Sequence, residues 1–330
     1  MSDSPLWITE ADVVSLISLP EAVSALERIL AMEARDEAAN MPKGHLMVGA
    51  NDAMHALGAS VAGAGVCGFK TWVNVGGKSA TVVVLFSLAD GACLAVIEAT
   101  ALGQMRTAAM TGVGTRRLAP PGADEMAIVG SGKQALPQVA ACAAVRPLKR
   151  LRCFSRNPES RARFAGSVRA EFDFEVVACD TLEDTVRDAP IVTLITNATR
   201  PFLTAAMLAK GSHLNAMGAI VPKRIEFAQD VFDRCDLIAV DNVVNVRELS
   251  SEFRQRFGDD DAAWRAVRPV SALVAGETGR PAGADVTLFK AMGMGISDLA
   301  LGIEILDRAR RKNAGHPLPE RVRTPPRLRD

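Results

Sequence analysis

Residues 126–135, Met-Ala-Ile-Val-Gly-Ser-Gly-Lys-Gln-Ala, leave few folds open to the chain around them. Four apolar residues run into Gly130, and Ser131, Gly132, Lys133, Gln134 and Ala135 follow. The pattern predicts a buried strand, a glycine turn and the first turn of a helix. Gly130 permits the tight turn, Gly132 lets a pyrophosphate approach the backbone, and Ala135 is small where helix packs on strand. The free N–H groups of the helix start would then face the phosphates. A Gly-x-Gly-x-x-Ala motif on its own also fits an ordinary glycine turn. Here the context favours a dinucleotide: an apolar strand stands before it and a helical run with Ala140, Ala141, Ala143 and Ala144 after it.

A turn of this kind needs a βαβ frame, and 330 residues are comfortable for two domains. Hydrophobic residues make up 48% and charged residues 23%, the balance of a soluble globular chain. Lys+Arg and Asp+Glu are both 38, so no electrostatic footprint for nucleic acid is expected. The six cysteines are scattered without a Cys-x-x-Cys pair and are expected as reduced thiols. His45, His55, His213 and His316 suggest no metal-ligand cluster. The N-terminal Met-Ser-Asp-Ser-Pro-Leu-Trp lacks a basic n-region and an apolar h-region, and no run approaches the ~18 apolar residues of a membrane span. The expectation is a cytoplasmic enzyme with no membrane partner.

Leu19-Pro20-Glu21 predicts a helix start, with Val23, Leu26, Ile29 and Leu30 at helical spacing behind it. Residues 36–44 are polar and end in Met41-Pro42-Lys43-Gly44, a loop or strand entry. Phe69, Trp72 and Val73 predict a strand that carries Lys70 inward, and 81–97 predicts a hairpin turning at Ala89-Asp90-Gly91-Ala92. An Ala/Gly/Thr-rich helix over 99–118 holds Arg106 at its middle. From Glu125 the pattern alternates: strand 126–130, helix 134–145, strand 150–154, helix 158–170, strand 174–178, helix 181–187, strand 190–195, then strands at 213–217 and 237–241. Such alternation implies an α/β fold with a doubly wound parallel sheet. Residues 248–283, polar and with three consecutive aspartates, predict a helix and loop at the edge of the site. Leu299, Ile303 and Leu306 mark a last helix, and the tail from Lys312 is expected to be disordered.

Several side chains stand out against this frame. Arg106 sits among small residues, where a guanidinium needs an anionic partner, either a substrate carboxylate held in a bidentate fork or an acidic side chain in a structural pair. Lys70, between apolar residues, is either a snorkelling surface lysine or a proton donor in a partly dry pocket. Lys43 follows Pro42 directly and is as much a solvated charge as a second carboxylate ligand; His45 beside it is incidental. After the strand 150–154 come Ser155, Arg156 and Asn157. NAD enzymes favour a carboxylate there for the ribose 2′-hydroxyl, whereas an arginine accommodates a 2′-phosphate. Arg156 therefore favours NADP(H), with NAD(H) as the alternative, unless it only stacks on adenine. Asp241 at a strand end contacts the site or caps a helix, Asp298 is a helix N-terminal charge, and the Gly293/Gly295 pair would allow close backbone approach near a nicotinamide.

Five motifs then occur in order: Gly68-Phe69-Lys70, Met105-Arg106-Thr107-Ala108-Ala109, the turn at Gly130–Ala135, His213-Leu214-Asn215-Ala216-Met217-Gly218-Ala219, and Phe289-Lys290-Ala291-Met292-Gly293-Met294-Gly295. In these the chain resembles the ornithine cyclodeaminase/mu-crystallin family from about residue 20 to 310. The resemblance implies a Rossmann domain (119–298) inserted in an α+β substrate-binding and dimerisation domain (1–118 plus 299–330), and a homodimer built through segments 54–75 and 81–97. It implies Lys70 and Arg106 as catalytic residues, with Arg106 on the substrate carboxylate and Lys43 assisting. It implies Thr107, Gly130, Ser131, Gly132, Gln134, Ala135, Ser155, Arg156, Asn157, Thr196, Asn215, Met217, Gly218 and Gly293 at the cofactor.

One departure bears on the reaction. In ornithine cyclodeaminases an aspartate follows the Gly-Gly or Gly-Ala pair and acts on the substrate amine, whereas here Ile220 follows Gly218-Ala219. An isoleucine can neither take a proton nor orient an ammonium group. The resemblance then favours an NADPH-dependent reductase of 2-imino or cyclic ketimine carboxylates, or the reverse amino-acid dehydrogenase. Ornithine cyclodeaminase itself and a non-catalytic, crystallin-like NADP(H)-binding protein are the competing readings.

Overall fold

The computed structural model describes residues 4–48, 52–276, 279–319 and 322–329. The chain opens with β1 (Leu6–Ile8), α1 (Glu10–Leu16), α2 (Leu19–Glu33), β2 (Ala38–Asn40), β3 (Gly44–Val48), β4 (Asp52–Val61), β5 (Val66–Val75), β6 (Lys78–Ser87), β7 (Cys93–Glu98) and α3 (Thr100–Leu118). Helix α2 starts where Pro20 and Glu21 suggest: the Glu21 carboxylate accepts from the Ser18 N–H at 2.8 Å and from its hydroxyl at 2.7 Å. The expected hairpin is β6–β7, with Gly91 at φ +73° in its turn. β6 begins earlier than expected because Lys78 already pairs with Val75 across Gly76-Gly77. Both of those glycines have positive φ, the requirement of a two-residue turn that matches strand twist.

The alternating half follows as β8 (Glu125–Val129), α4 (Ala135–Ala143), β9 (Arg150–Phe154), α5 (Pro158–Glu171), β10 (Glu175–Ala178), α6 (Leu182–Val186), β11 (Ile191–Leu194), β12 (Ser212–Ala216) and β13 (Cys235–Val240). Then come α7 (Val243–Leu249), α8 (Ser251–Phe257), α9 (Asp261–Trp264), β14 (Val267–Pro269), α10 (Val270–Val274) and β15 (Val286–Lys290). Its strands form one sheet in the order β10-β9-β8-β11-β12-β15-β13-β14, parallel throughout. Apolar clusters cover both faces, as a parallel sheet requires. The fold is the α/β Rossmann fold, with the order reversing between β8 and β11, where the ligand crevice of such sheets opens.

Residues 248–283 differ from the expectation: beside helices they supply β14, and β15 follows as a central strand between β12 and β13. The polar Thr287 and Lys290 hide β15 from a hydrophobicity reading, yet both are fully buried. The return to the first unit also lies earlier than expected. Helix α11 runs Gly295–Lys312 and packs on α2, α3, β4, β5 and β6, so a boundary at 298/299 would cut one helix. Gly295 is needed for that packing, because a Cβ there would overlap the Gly58 carbonyl of β4. The tail is not disordered throughout, since His316–Pro317 forms β16 against β1. The first sheet runs β16-β1-β7-β6-β5-β4-β2, with β3 also on β4.

Candidate functional site

A cavity of about 440 Å³ opens between the two sheets. From β5 it receives Lys70, Trp72 and Asn74, every second residue, so one face of the strand looks into it. From α3 it receives Gly103, Arg106, Thr107 and Met110, one stripe at helical spacing. The glycine turn and the loops after β11, β12 and β15 close it with residues such as Gln134, Thr196, Met217, Gly218 and Gly293.

At its floor a fully buried carboxylate joins the two cations singled out in the sequence. Asp298 Oδ1 accepts from Lys70 Nζ at 2.8 Å and lies 3.0 Å from Arg106 Nε. Asp298 thus joins two cavity-lining cations and is not merely a helix-terminal charge. Its Oδ2 is buried and, among the described residues, has no hydrogen-bond partner. Burial first, and the Arg106 guanidinium next, push the Lys70 ammonium down to about 8 against the opposing pull of Asp298. Lys70 Nζ also stands 4.8 Å from the Trp72 ring centroid, and His55 stacks behind Trp72 at 4.6 Å. Both readings of Arg106 therefore find support. Its Nε pairs with Asp298, while no described residue accepts from its two terminal nitrogens, and a Cβ on Gly293 would lie 3.0 Å from Nη1. Lys43 is half-buried outside the cavity wall, near enough that burial and then Arg106 lower its pKa while Asp241 and Asp298 raise it. Asp241 lines the cavity and caps no helix: its carboxylate accepts from the backbone N–H groups of Asn242, Met292 and Gly293.

A second cavity, of about 870 Å³, continues past the glycine turn along the carboxyl ends of β8, β9 and β11. The residues present fit a dinucleotide. Gly130 has φ +119°, and a Cβ on it would overlap the Ile195 carbonyl; a Cβ on Gly132 would meet nothing within 4 Å, so space stands open over the turn. Gln134 Oε1 is buried at the wall of the first cavity and, among the described residues, has no hydrogen-bond partner. Ser131, Ser155, Arg156, Asn157 and Arg200 line the second cavity, and none of its described lining residues is acidic.

Of the expected cofactor residues, Ala135 and Asn215 reach neither cavity, and Asn157, at the second cavity, has its side chain engaged. The Asn157 side chain is engaged as the cap of α5, accepting from Ser160 N at 2.9 Å. Ala135 is fully buried under the helix start, where its smallness serves packing. Asn215 is fully buried in the sheet, its amide donating to Thr115 and Thr193 and its carbonyl facing His213, which burial pushes down to about 3 and keeps neutral. It orders the strand and reaches neither cavity.

A model of the ornithine cyclodeaminase/mu-crystallin family matches residues 4–313. The chain belongs to this family. It is 26% identical over 237 residues to the Δ1-pyrroline-2-carboxylate reductase of Bacillus cereus, covering 71% of this chain and 73% of that one. With the iminosuccinate reductase of Paracoccus denitrificans it shares 27% over 318 residues, 93% and 97% of the two chains. The solved Δ1-pyrroline-2-carboxylate reductase of Thermococcus litoralis, in complex with NADH and L-proline, superposes with a TM-score of 0.88 at 22% identity over 95% of this chain and all of that one, a likeness of fold. In this member of the ornithine cyclodeaminase/mu-crystallin family, Ile220 lines the first cavity where the sequence departs from the cyclodeaminase pattern. The sequence pattern marks Asp298 only as a helix-terminal charge and Trp72 only as a strand residue. The position of Asp298 three residues after Gly295 was the available signal.

Proposed function

We propose that the protein is an NAD(P)H-dependent reductase of 2-imino or cyclic ketimine carboxylates, working also in reverse as an amino-acid dehydrogenase. The carrying observation is the Lys70–Asp298–Arg106 cluster at the floor of a cleft that adjoins the glycine turn. The free terminal nitrogens of Arg106 receive the substrate carboxylate in a planar fork, with Lys43 adding positive charge. Lys70, held by Asp298, keeps a proton at Nζ and hands it to the imine nitrogen, or takes it back in the reverse direction. A positioned proton donor contributes roughly 10²–10⁴-fold. When bound, the reduced nicotinamide supplies hydride to the imine carbon. The 119–294 unit holds the dinucleotide; residues up to 118, with α11, hold the substrate. NADP(H) is the preferred cofactor in this reading, because Arg156 and Arg200 stand at the second cavity without an opposing carboxylate. The protein works as a homodimer through the outer face of β3–β5, where Leu46, Met54, Phe69, Val73 and Val75 are 40–61% exposed.

The deciding experiment follows NADPH absorbance with Δ1-pyrroline-2-carboxylate and, separately, ammonia release from ornithine with NAD. Reduction without ammonia release is expected. Ornithine-to-proline conversion would favour the cyclodeaminase, and inactivity with dinucleotide bound would favour the non-catalytic reading. Ile220 opposes the former and the retained Lys70–Arg106 pair the latter.

A further inference from the structure

Behind the cleft wall lies a carboxylate that the proposed chemistry does not use. Glu226 is fully buried. Its Oε1 accepts from the Thr196 N–H at 2.7 Å and the Thr196 hydroxyl at 2.8 Å. Its Oε2 accepts from the N–H groups of Gly218 at 2.9 Å and Ala219 at 3.0 Å. Thr196 belongs to the loop after β11 and Gly218-Ala219 to the loop after β12, the adjacent parallel strands beside the point where the sheet order reverses. Thr196 and Gly218 both line the first cavity.

The geometry points to Glu226 as a positioning residue whose carboxylate fixes the spacing of these two loops and so shapes the wall that receives the nicotinamide end of the dinucleotide. This rests on the dinucleotide reading above. Three of the four partners are backbone N–H groups, obligate donors that reach both oxygens, so a group with two accepting oxygens is what satisfies them, and without it they would be buried unpaired. The loops meet without slack: a Cβ on Gly218 would lie 2.5 Å from Glu226 Oε1 and would overlap Thr196. Lys290, also fully buried, donates to the Ala219 carbonyl at 2.8 Å and stands 3.7 Å from Glu252 Oε1, near enough for its charge to favour the Glu226 carboxylate as well, while Glu252 Oε1 accepts from Glu226 N at 3.1 Å. The clamp is thus held from behind.

The test is Glu226→Gln. Its amide must turn an NH₂ toward either Thr196 or the Gly218-Ala219 pair, donor against donor, and release one loop. The dissociation constants of NADPH and of 2′-phospho-ADP-ribose, which lacks the nicotinamide, are measured by calorimetry. NADPH should weaken roughly tenfold or more and the fragment clearly less, by about threefold at most, because Thr196 borders the second cavity as well. Equal weakening of both, or of neither, would overturn the assignment and leave the reductase reading standing. Failure of the unmodified protein to bind any dinucleotide would overturn both. Should the variant not fold, hydrogen exchange on the unmodified protein decides: the amides of Thr196, Gly218 and Ala219 should be strongly protected for loop positions, and rapid exchange would overturn the clamp.

Discussion

At the scale of the residue, Lys70 carries the clearest expectation. With its ammonium pushed down to about 8, it is largely charged at neutral pH and able to give up its proton. Reduction needs the charged form, so kcat/KM for the imine should fall as pH rises through about 8; oxidation of the amino acid should rise over the same window. Lys70→Ala should lower kcat by roughly 10²–10⁴ and flatten both limbs, with NADPH affinity kept. Arg156 belongs to the same scale: Arg156→Ala should weaken NADPH and spare NADH, read by titration of both, and equal loss would assign the side chain to adenine stacking. Glu33 gives a stability expectation. Burial raises its carboxyl from an ordinary 4.5 to about 7, with the nearby Asp241 charge adding to the rise, against side-chain hydrogen bonds from Ser271 and from the Asn40 amide, 3.0 Å from Oε1. The folded state binds that proton more tightly than the unfolded chain, so the contribution is complete below about 4.5 and lost as pH rises through about 7. Glu33→Gln should therefore raise stability at pH 8 by on the order of 1–3 kcal/mol and leave it nearly unchanged at pH 4, checked by thermal melts at both pH values.

At the scale of the element, α3 shows how one helix can serve both packing and site. Gly114 faces the sheet, and a Cβ there would lie 2.5 Å from Phe289 Cδ1. Gly114→Ala should cost about 1–3 kcal/mol in urea denaturation, overpacking outweighing the gain in helix propensity. Gly103, about three turns earlier on the cleft side, would meet nothing within 4 Å. Gly103→Ala should be neutral or stabilise by up to about 1 kcal/mol, yet raise KM by narrowing the cleft. Two identical substitutions in one helix thus separate fold from function.

At the scale of the whole molecule, the first sheet keeps its inner face for helices and site and leaves an outer face of β3–β5 apolar. Met54 and Val73 pair across it, 45% and 43% exposed. A contiguous exposed apolar face on a folded chain favours association. Sedimentation velocity at micromolar concentration should give a dimer, and the double variant Met54→Lys, Val73→Lys a folded monomer; a monomer before mutation would remove the sheet from the interface.

The glycine turn, the alternation of strands and helices and the small-residue setting of Arg106 are local patterns, each legible because 3.6- and 2-residue periodicities and positive-φ requirements act over a few neighbours. Within them the sequence determined the Rossmann half, the hairpin of β6 and β7, the inward Lys70 and the cleft-lining glycines. What joins residues far apart lay beyond it. Asp298 meets Lys70 across 228 residues, and only the return of α11 onto β5 brings them together. Glu226 earns its four donors only because two loops from neighbouring strands converge on it, and Asn215 turned inward because a buried amide found partners on α3 and β11. A local pattern fixes an element and its face; a buried charge is settled by whichever partner the packing delivers, and that is a property of the tertiary structure alone.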